Sequence, residues 1–159
     1  MDVEASSSTS ESRPEENEDN LVPIRIDSMN MRDGESGDLL WQADYSDHSK
    51  FWKDEITATL PKSILTKSSI SREIIFHSSK QLTRLRLVQH VILNGLLIEE
   101  WKFGFDFVIE GSTNSWQQTI KSAPSVMDAE TLSGNIVIET SFYDEEELIA
   151  ENKMRIYYK

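Results

Sequence analysis

Four polar residues occupy places in the sequence where a period-two pattern calls for an apolar residue. They are Arg72, Gln89, Glu99 and Tyr158. Arg72, for example, lies between Ile70 and Ile74. A charge buried without a partner is strongly unfavourable, so these groups either satisfy one another or line a space that admits a ligand. The first alternative is a solid core with an Arg72–Glu99 pair, and the second is an apolar pocket with a few convergent polar groups.

No motif of the sequence is typical of an enzyme or a metalloprotein. There is no phosphate-binding glycine loop, nucleophile elbow, dinucleotide fingerprint or zinc-binding His-Glu-x-x-His helix. The absence of cysteine excludes a disulfide and a thiolate ligand. His48, His77 and His90 stand in separate segments, and the adjacent Glu99 and Glu100 point to opposite faces of a strand. We therefore predict no catalytic residue, no metal and no cofactor.

Hydrophobic alternation places the four polar residues on β-strands. From residue 81 to 93, one parity carries Leu85, Leu87, Gln89, Val91 and Leu93. Asn94-Gly95 predicts a tight hairpin turn after this strand. The inward parity of the returning strand is predicted to carry Leu97, Glu99, Trp101, Phe103, Phe105, Phe107 and Ile109. An aromatic run of this kind is most often plain core.

Five further segments alternate in the same way, and glycine- and serine-rich turns separate most of them. They are residues 39–41, 56–60, 70–76, 136–142 and 154–158. Eight or nine short strands with one apolar face each predict an all-β protein, an antiparallel sandwich of two sheets. Only residues 116–122 and 125–132 could form short helical turns.

The charge distribution divides the chain into a tail and a single domain. Residues 1–20 hold seven acids and one base, which predicts a disordered acidic tail before a domain at residues 21–159. The formal net charge of −12 argues against a nucleic-acid partner. With no signal-like start and no apolar run of membrane-spanning length, we expect a cytoplasmic protein without stable membrane insertion.

Short segments spread over residues 26–159 share a pattern with one known family. They are Met31-Arg32-Asp33, Leu40-Trp41-Gln42, Leu60-Pro61-Lys62, Ile70-Ser71-Arg72-Glu73, Glu99-Glu100-Trp101, Phe107-Val108-Ile109, Ser112-Thr113-Asn114-Ser115-Trp116-Gln117 and Gly134-Asn135-Ile136-Val137-Ile138-Glu139-Thr140. In this order they closely resemble the delta subunit of rod cyclic-GMP phosphodiesterase, the prenyl-binding family.

The resemblance implies an immunoglobulin-like β-sandwich, as in the Rho GDP-dissociation inhibitors, that encloses a farnesyl or geranylgeranyl chain between its sheets. It implies a carrier that solubilises prenylated proteins from membranes, such as Ras-like small GTPases and phosphodiesterase catalytic subunits. GTP-loaded Arf-like GTPases would release the cargo by pairing with an exposed sheet edge. A monomer in the cytoplasm, with ciliary or vesicle association, is expected.

The resemblance also implies which residues bind the prenyl chain. The apolar ones are Met29, Trp41, Ile64, Leu65, Ile70, Ile74, Val91, Trp101, Phe103, Ile120, Leu132, Ile138, Phe142, Met154 and Ile156. The polar ones coincide with the four residues that strand parity had singled out. We expect Glu99 and the residues around the pocket mouth to discriminate among cargo C-termini.

Three other functions are weighed against the prenyl carrier. A sister subfamily with the same sandwich accepts myristoylated N-termini. A plain adaptor would have a solid core and bind no lipid. An esterase or another enzyme has no positive support in the sequence.

Overall fold

The computed structural model describes residues 22–46, 51–52, 54–121 and 127–159, so the predicted acidic tail lies outside the described residues. The strands are β1 (Ile24–Asp33), β2 (Leu39–Asp44), β3 (Glu55–Leu60), β4 (Ser69–Ser78), β5 (Leu82–Leu93), β6 (Leu96–Val108), β7 (Thr113–Lys121), β8 (Ile136–Asp144) and β9 (Glu147–Tyr158). A 3-10 helix spans Lys62–Thr66, and the short helix α1 spans Ala129–Leu132.

Two sheets face each other, which confirms the predicted all-β sandwich. One has the order β2-β1-β4-β7, and the other has the order β3-β9-β8-β5-β6. All pairs are antiparallel except β3 with β9, where Ile56 lies beside Met154 in a parallel register. This pair differs from the wholly antiparallel prediction. The chain crosses from β2 in one sheet to β3 in the other, so no hairpin forces β3 to run against its neighbour.

The segment at residues 116–122 was expected to allow helical turns, and this expectation is wrong over its described part. Residues 113–121 form the edge strand β7, which pairs with β4 and sets Trp116 opposite Ile74. Trp116, Gln118 and Ile120 point inward at every second position, which is the period of a strand. Part of the second expected segment does form helix α1, and the side chain of Asp128 caps it by accepting from the amide of Thr131 at 2.9 Å.

Strand β6 changes its parity near its end, so the prediction that Phe107 and Ile109 point inward is wrong. Their side chains are 53% and 65% exposed, whereas Val108 between them is fully buried. The pairing with β5 shifts register here, and Asp106 takes a positive φ of 83°. A bulge of this kind moves the following residues to the opposite face of the sheet.

A second register shift lies at the start of β6 and overturns the predicted inward position of Leu97. Val91 lies opposite Glu99, but the next residue, Ile92, lies opposite Leu97, so Ile98 is the additional residue. Leu97 therefore shares the outer face of the sheet with Ile92. The hairpin itself is confirmed, with Leu93 opposite Leu96 across a two-residue turn.

Candidate functional site

One end of the sandwich is a solid core. The rings of Phe76, Phe105 and Trp116 pack edge to face, with centroids 5.2 Å apart for Phe76–Phe105 and 5.4 Å apart for Phe105–Trp116. Leu82 and Val108 beside them have no exposed surface. Large side chains therefore fill the gap between the sheets at this end.

Two adjacent chambers lie in the gap between the sheets. The inner chamber holds about 40 Å³, and the outer chamber holds about 250 Å³. Both chambers share the walls formed by Met31, Leu60, Ile138 and Ile156. The two chambers therefore adjoin each other, and together they are named the slot.

The slot extends along the strands, and residues of β8 mark how far it extends. Phe142 lies in the wall of the inner chamber, Ile138 lies where the chambers meet, and Ile136 lies in the wall of the outer chamber. These residues span six positions, or about 20 Å of extended chain. The lining thus extends far enough along the strands to suit an extended hydrocarbon chain.

The structure brings 18 of the 19 sequence-predicted site residues to this slot. Those in the inner chamber alone are Met29, Trp41, Arg72, Ile74, Gln89, Phe142 and Met154. Those in the outer chamber alone are Ile64, Leu65, Ile70, Val91, Glu99, Trp101, Ile120, Leu132 and Tyr158. Ile138 and Ile156 line both chambers. Phe103 lies in neither wall, and its ring centroid is 5.5 Å from the guanidinium carbon of Arg72.

Several further residues line the slot and were not predicted. They are Met31, Phe51, Ala58, Leu60, Leu87, Ile98, Met127, Ile136, Thr140 and Asn152. Five of them share the inward parity of a predicted strand, so the alternation contained the signal for Ala58, Leu60, Leu87, Ile136 and Thr140. Phe51 follows no such pattern because it lies in a loop. The side-chain amide of Asn152 donates to the backbone carbonyl oxygen of Phe51 at 2.6 Å.

Arg72 and Gln89 bring a polar group to the inner chamber from opposite sheets. Arg72 Nε donates to Gln118 Oε1 at 2.5 Å, and Gln89 Nε2 donates to Thr140 Oγ1 at 2.8 Å. Three buried atoms have no hydrogen-bond partner among the described residues: Arg72 Nη2, Gln89 Oε1 and Gln118 Nε2. Buried polar atoms without a partner favour an occupant that can form hydrogen bonds with them. The inner chamber is large enough to hold a water molecule.

No carboxylate among the described residues forms an ion pair with Arg72, which excludes the predicted alternative of an Arg72–Glu99 pair. Glu99 is exposed, and its Oε2 accepts from the indole nitrogen of Trp101 at 3.0 Å. The guanidinium of Arg72 is almost fully buried, and this desolvation lowers its pKa to about 9. The buried charge is therefore held by an amide oxygen and an aromatic ring.

Residues of both sheets and of the connecting segments surround the mouth of the slot. The half-exposed Ile98 and Met127 line the outer chamber together with Glu99 and Tyr158. Burial of the Tyr158 phenol raises its pKa, so the hydroxyl stays protonated at neutral pH. The mouth thus combines apolar side chains with a carboxylate and a neutral hydroxyl.

A comparison with known families supports the same conclusion as the geometry. The model of a family described as "GMP-PDE, delta subunit" matches residues 18–158. The chain belongs to this family. The family is one of prenyl-binding proteins, and its members are binding subunits rather than catalytic domains. The resemblance read from the sequence is thereby confirmed.

Among the described residues, no group of three or more acidic or histidine side chains could hold a metal ion. No helix in the described part of the chain is long and apolar enough to span a membrane.

Proposed function

We propose that this chain is a carrier that takes the farnesyl or geranylgeranyl group of a prenylated protein into the slot between its sheets. The single observation that supports this most is the pair of adjoining, mostly apolar chambers between the sheets, the outer of which is lined by the exposed Glu99 and by Trp101. A solid-core adaptor would not need such a space.

The energetics favour a long hydrocarbon ligand. A farnesyl chain of about fifteen carbons gains roughly 12 kcal/mol on leaving water, at about 0.8 kcal/mol per buried CH₂. The costs of association reduce this gain, so dissociation constants from about micromolar to nanomolar follow. Since a bilayer offers the chain a similar environment, selectivity for cargo depends on contacts of its last residues at the mouth. We propose that Glu99, which lines the outer chamber, makes such contacts.

The cargo that we propose comprises Ras-like small GTPases and phosphodiesterase catalytic subunits, bound by a monomeric carrier. Release would follow when a GTP-loaded Arf-like GTPase binds a form of the protein with a narrower slot. Such a partner can pair with an edge strand of a sheet. This cycle places the carrier in the cytoplasm, with cilia or vesicles as destinations.

Filling the slot tests the proposal. Ile138 lines both chambers, so Ile138→Trp should block the slot and weaken binding of a dansylated farnesyl-cysteine peptide by at least about tenfold. Val137→Trp is the matched control, because the neighbouring residue points to the opposite face of β8. Fluorescence titration gives both affinities, and circular dichroism melts show whether each variant folds.

The outcomes separate the candidate functions. Equal farnesyl-peptide affinity of both variants would refute the slot as the binding site. Preference for a myristoylated peptide in competition would indicate the acyl carrier of the sister subfamily. Failure of the wild-type protein to bind either lipid would favour the adaptor.

A further inference from the structure

The tip of the β5–β6 hairpin exposes three consecutive aliphatic side chains at the mouth of the slot. Leu96, Leu97 and Ile98, named here the hairpin rim, are 68%, 54% and 41% exposed. Exposed apolar clusters on a water-soluble domain generally mark a surface that contacts a partner or a lipid. The lipid slot does not account for Leu96 and Leu97, because neither lines a chamber.

The hairpin rim is continuous with the interior of the slot. Ile98 lines the outer chamber and is also part of the rim, so apolar surface extends from the chamber to the tip of the hairpin. Met127, which is 40% exposed, lines the same chamber. A prenyl chain moving along this surface would have less contact with water than a free chain.

The two leucines of the rim lie on opposite faces of the hairpin. Leu96 pairs with Leu93, and Leu97 pairs with Ile92, which places the two side chains on different sides of the sheet. A folded protein partner would cover one face of such a tip. A fluid lipid surface can surround both faces.

The turn of the hairpin is held in place by a backbone hydrogen bond. The amide of Asn94 donates to the carbonyl oxygen of Asn135 at 3.0 Å, which joins the turn to the segment before β8. Asn94 and Gly95 both take positive φ angles of 49° and 82°, as a tight two-residue turn requires. The rim is therefore presented in a fixed position beside the mouth.

We propose that the hairpin rim inserts into the surface of a lipid bilayer, so that a prenyl chain passes from the bilayer into the slot during direct contact. This inference rests on the proposed carrier function and adds the partner surface for loading. Glu99 and Glu100 lie beside the rim, so the contact favours bilayers without net negative charge.

Transfer kinetics test the inference. A dansylated farnesyl peptide is loaded into phosphatidylcholine vesicles that contain a quencher lipid, and its uptake by the full chain is followed by stopped flow. Transfer on contact makes the wild-type rate rise with protein concentration. The double variant Leu96→Ser/Leu97→Ser should transfer the peptide about tenfold more slowly. Its affinity for the same peptide free in solution should be unchanged.

The control is Phe107→Ser/Ile109→Ser, at the other end of the hairpin. These residues are also exposed, but neither lines the slot, so the wild-type transfer rate is expected. Equal rates for both double variants, independent of protein concentration, would overturn the inference, because spontaneous desorption would then set the rate. Weaker binding of the free peptide by the rim variant would overturn it in favour of a role inside the ligand site.

Two further results have distinct meanings. A wild-type dimer in analytical ultracentrifugation that the rim substitutions dissociate would show that a second copy covers the rim, against the membrane contact. A wild-type protein that binds no farnesyl peptide in solution would refute the carrier function itself, and the loading contact with it.

Discussion

Arg72 is the residue whose surroundings depart furthest from an ordinary core. It is a cation in a largely apolar gap, and its partners among the described residues are Gln118 and the ring of Phe103. Arg72 Nη2 and Gln118 Nε2 both remain without a hydrogen-bond partner there. Buried charges that lack an ionic partner generally reduce the stability of a fold. A residue that reduces stability in this way is typical of a ligand-binding site.

Replacing Arg72 by a neutral residue should therefore stabilise the ligand-free protein. We expect Arg72→Met to increase the free energy of unfolding by about 1–4 kcal/mol at pH 7, because the thioether needs no compensating partner. Chemical denaturation of both proteins gives the difference. Arg84→Met, which makes the same change at an exposed arginine, should have almost no effect. A destabilised Arg72→Met variant would show that the charge is compensated in the fold.

The increase in the free energy of unfolding caused by Arg72→Met should also depend on pH. Folding lowers the pKa of Arg72 from its ordinary value to about 9, so the unfolded wild-type chain binds more protons than the folded one above about pH 9. The wild-type protein then recovers stability as the pH rises above about 9. The difference between variant and wild type should be complete at pH 7 and smaller at pH 10, as paired denaturation curves would show. A constant difference would contradict the lowered pKa.

At the scale of elements, the β5–β6 hairpin gives the framework of the outer chamber. Val91 on β5 and Glu99 and Trp101 on β6 line this chamber, and the turn that fixes their register has only two residues. Gly95 is the second turn residue, with a φ of 82°. An added Cβ at this position would meet no atom within 4 Å, so backbone strain alone would oppose a substitution.

Gly95→Ala should accordingly reduce the free energy of unfolding by about 1 kcal/mol, the typical strain of an L-residue in the left-handed region. Gly104→Ala is a suitable control on the same hairpin. An added Cβ there also meets nothing within 4 Å, and the backbone does not take a positive φ. This control should be neutral or slightly stabilising in thermal and urea melts. Equal losses for both variants would contradict the conformational explanation.

For the whole molecule, charge should influence contact with membranes. The chain carries a formal net charge of −12, and acidic residues flank the hairpin rim. Replacing part of the phosphatidylcholine by phosphatidylserine should slow peptide uptake at low ionic strength, because the vesicle and the protein repel each other. Added salt should restore the rate, since it screens the repulsion.

Stopped-flow uptake at two salt concentrations measures this effect. Phosphatidylcholine vesicles are the control, and their uptake rate should depend little on salt. Faster uptake from the anionic vesicles would contradict the expected repulsion and indicate a basic docking surface instead.

Strand identity could be read from the sequence because a half-buried sheet imposes a period of two on the side chains. Alternation predicted most strands of the second sheet, the hairpin at Asn94-Gly95 and the inward position of Arg72 and Gln89. The positions that line the slot followed from the same parity together with the family resemblance. Local pattern is sufficient here because each strand shows its buried face within a few residues.

Tertiary structure alone decided where the alternation breaks and where the interior is hollow. The bulges of β6 turn Leu97, Phe107 and Ile109 away from the gap, and the parallel pairing of β3 with β9 depends on where the chain crosses between sheets. Whether an inward side chain fills the gap or lines a chamber depends on what faces it. Phe105 meets Phe76 and Trp116, whereas Val91 faces open space, and only the packing of two sheets distinguishes them.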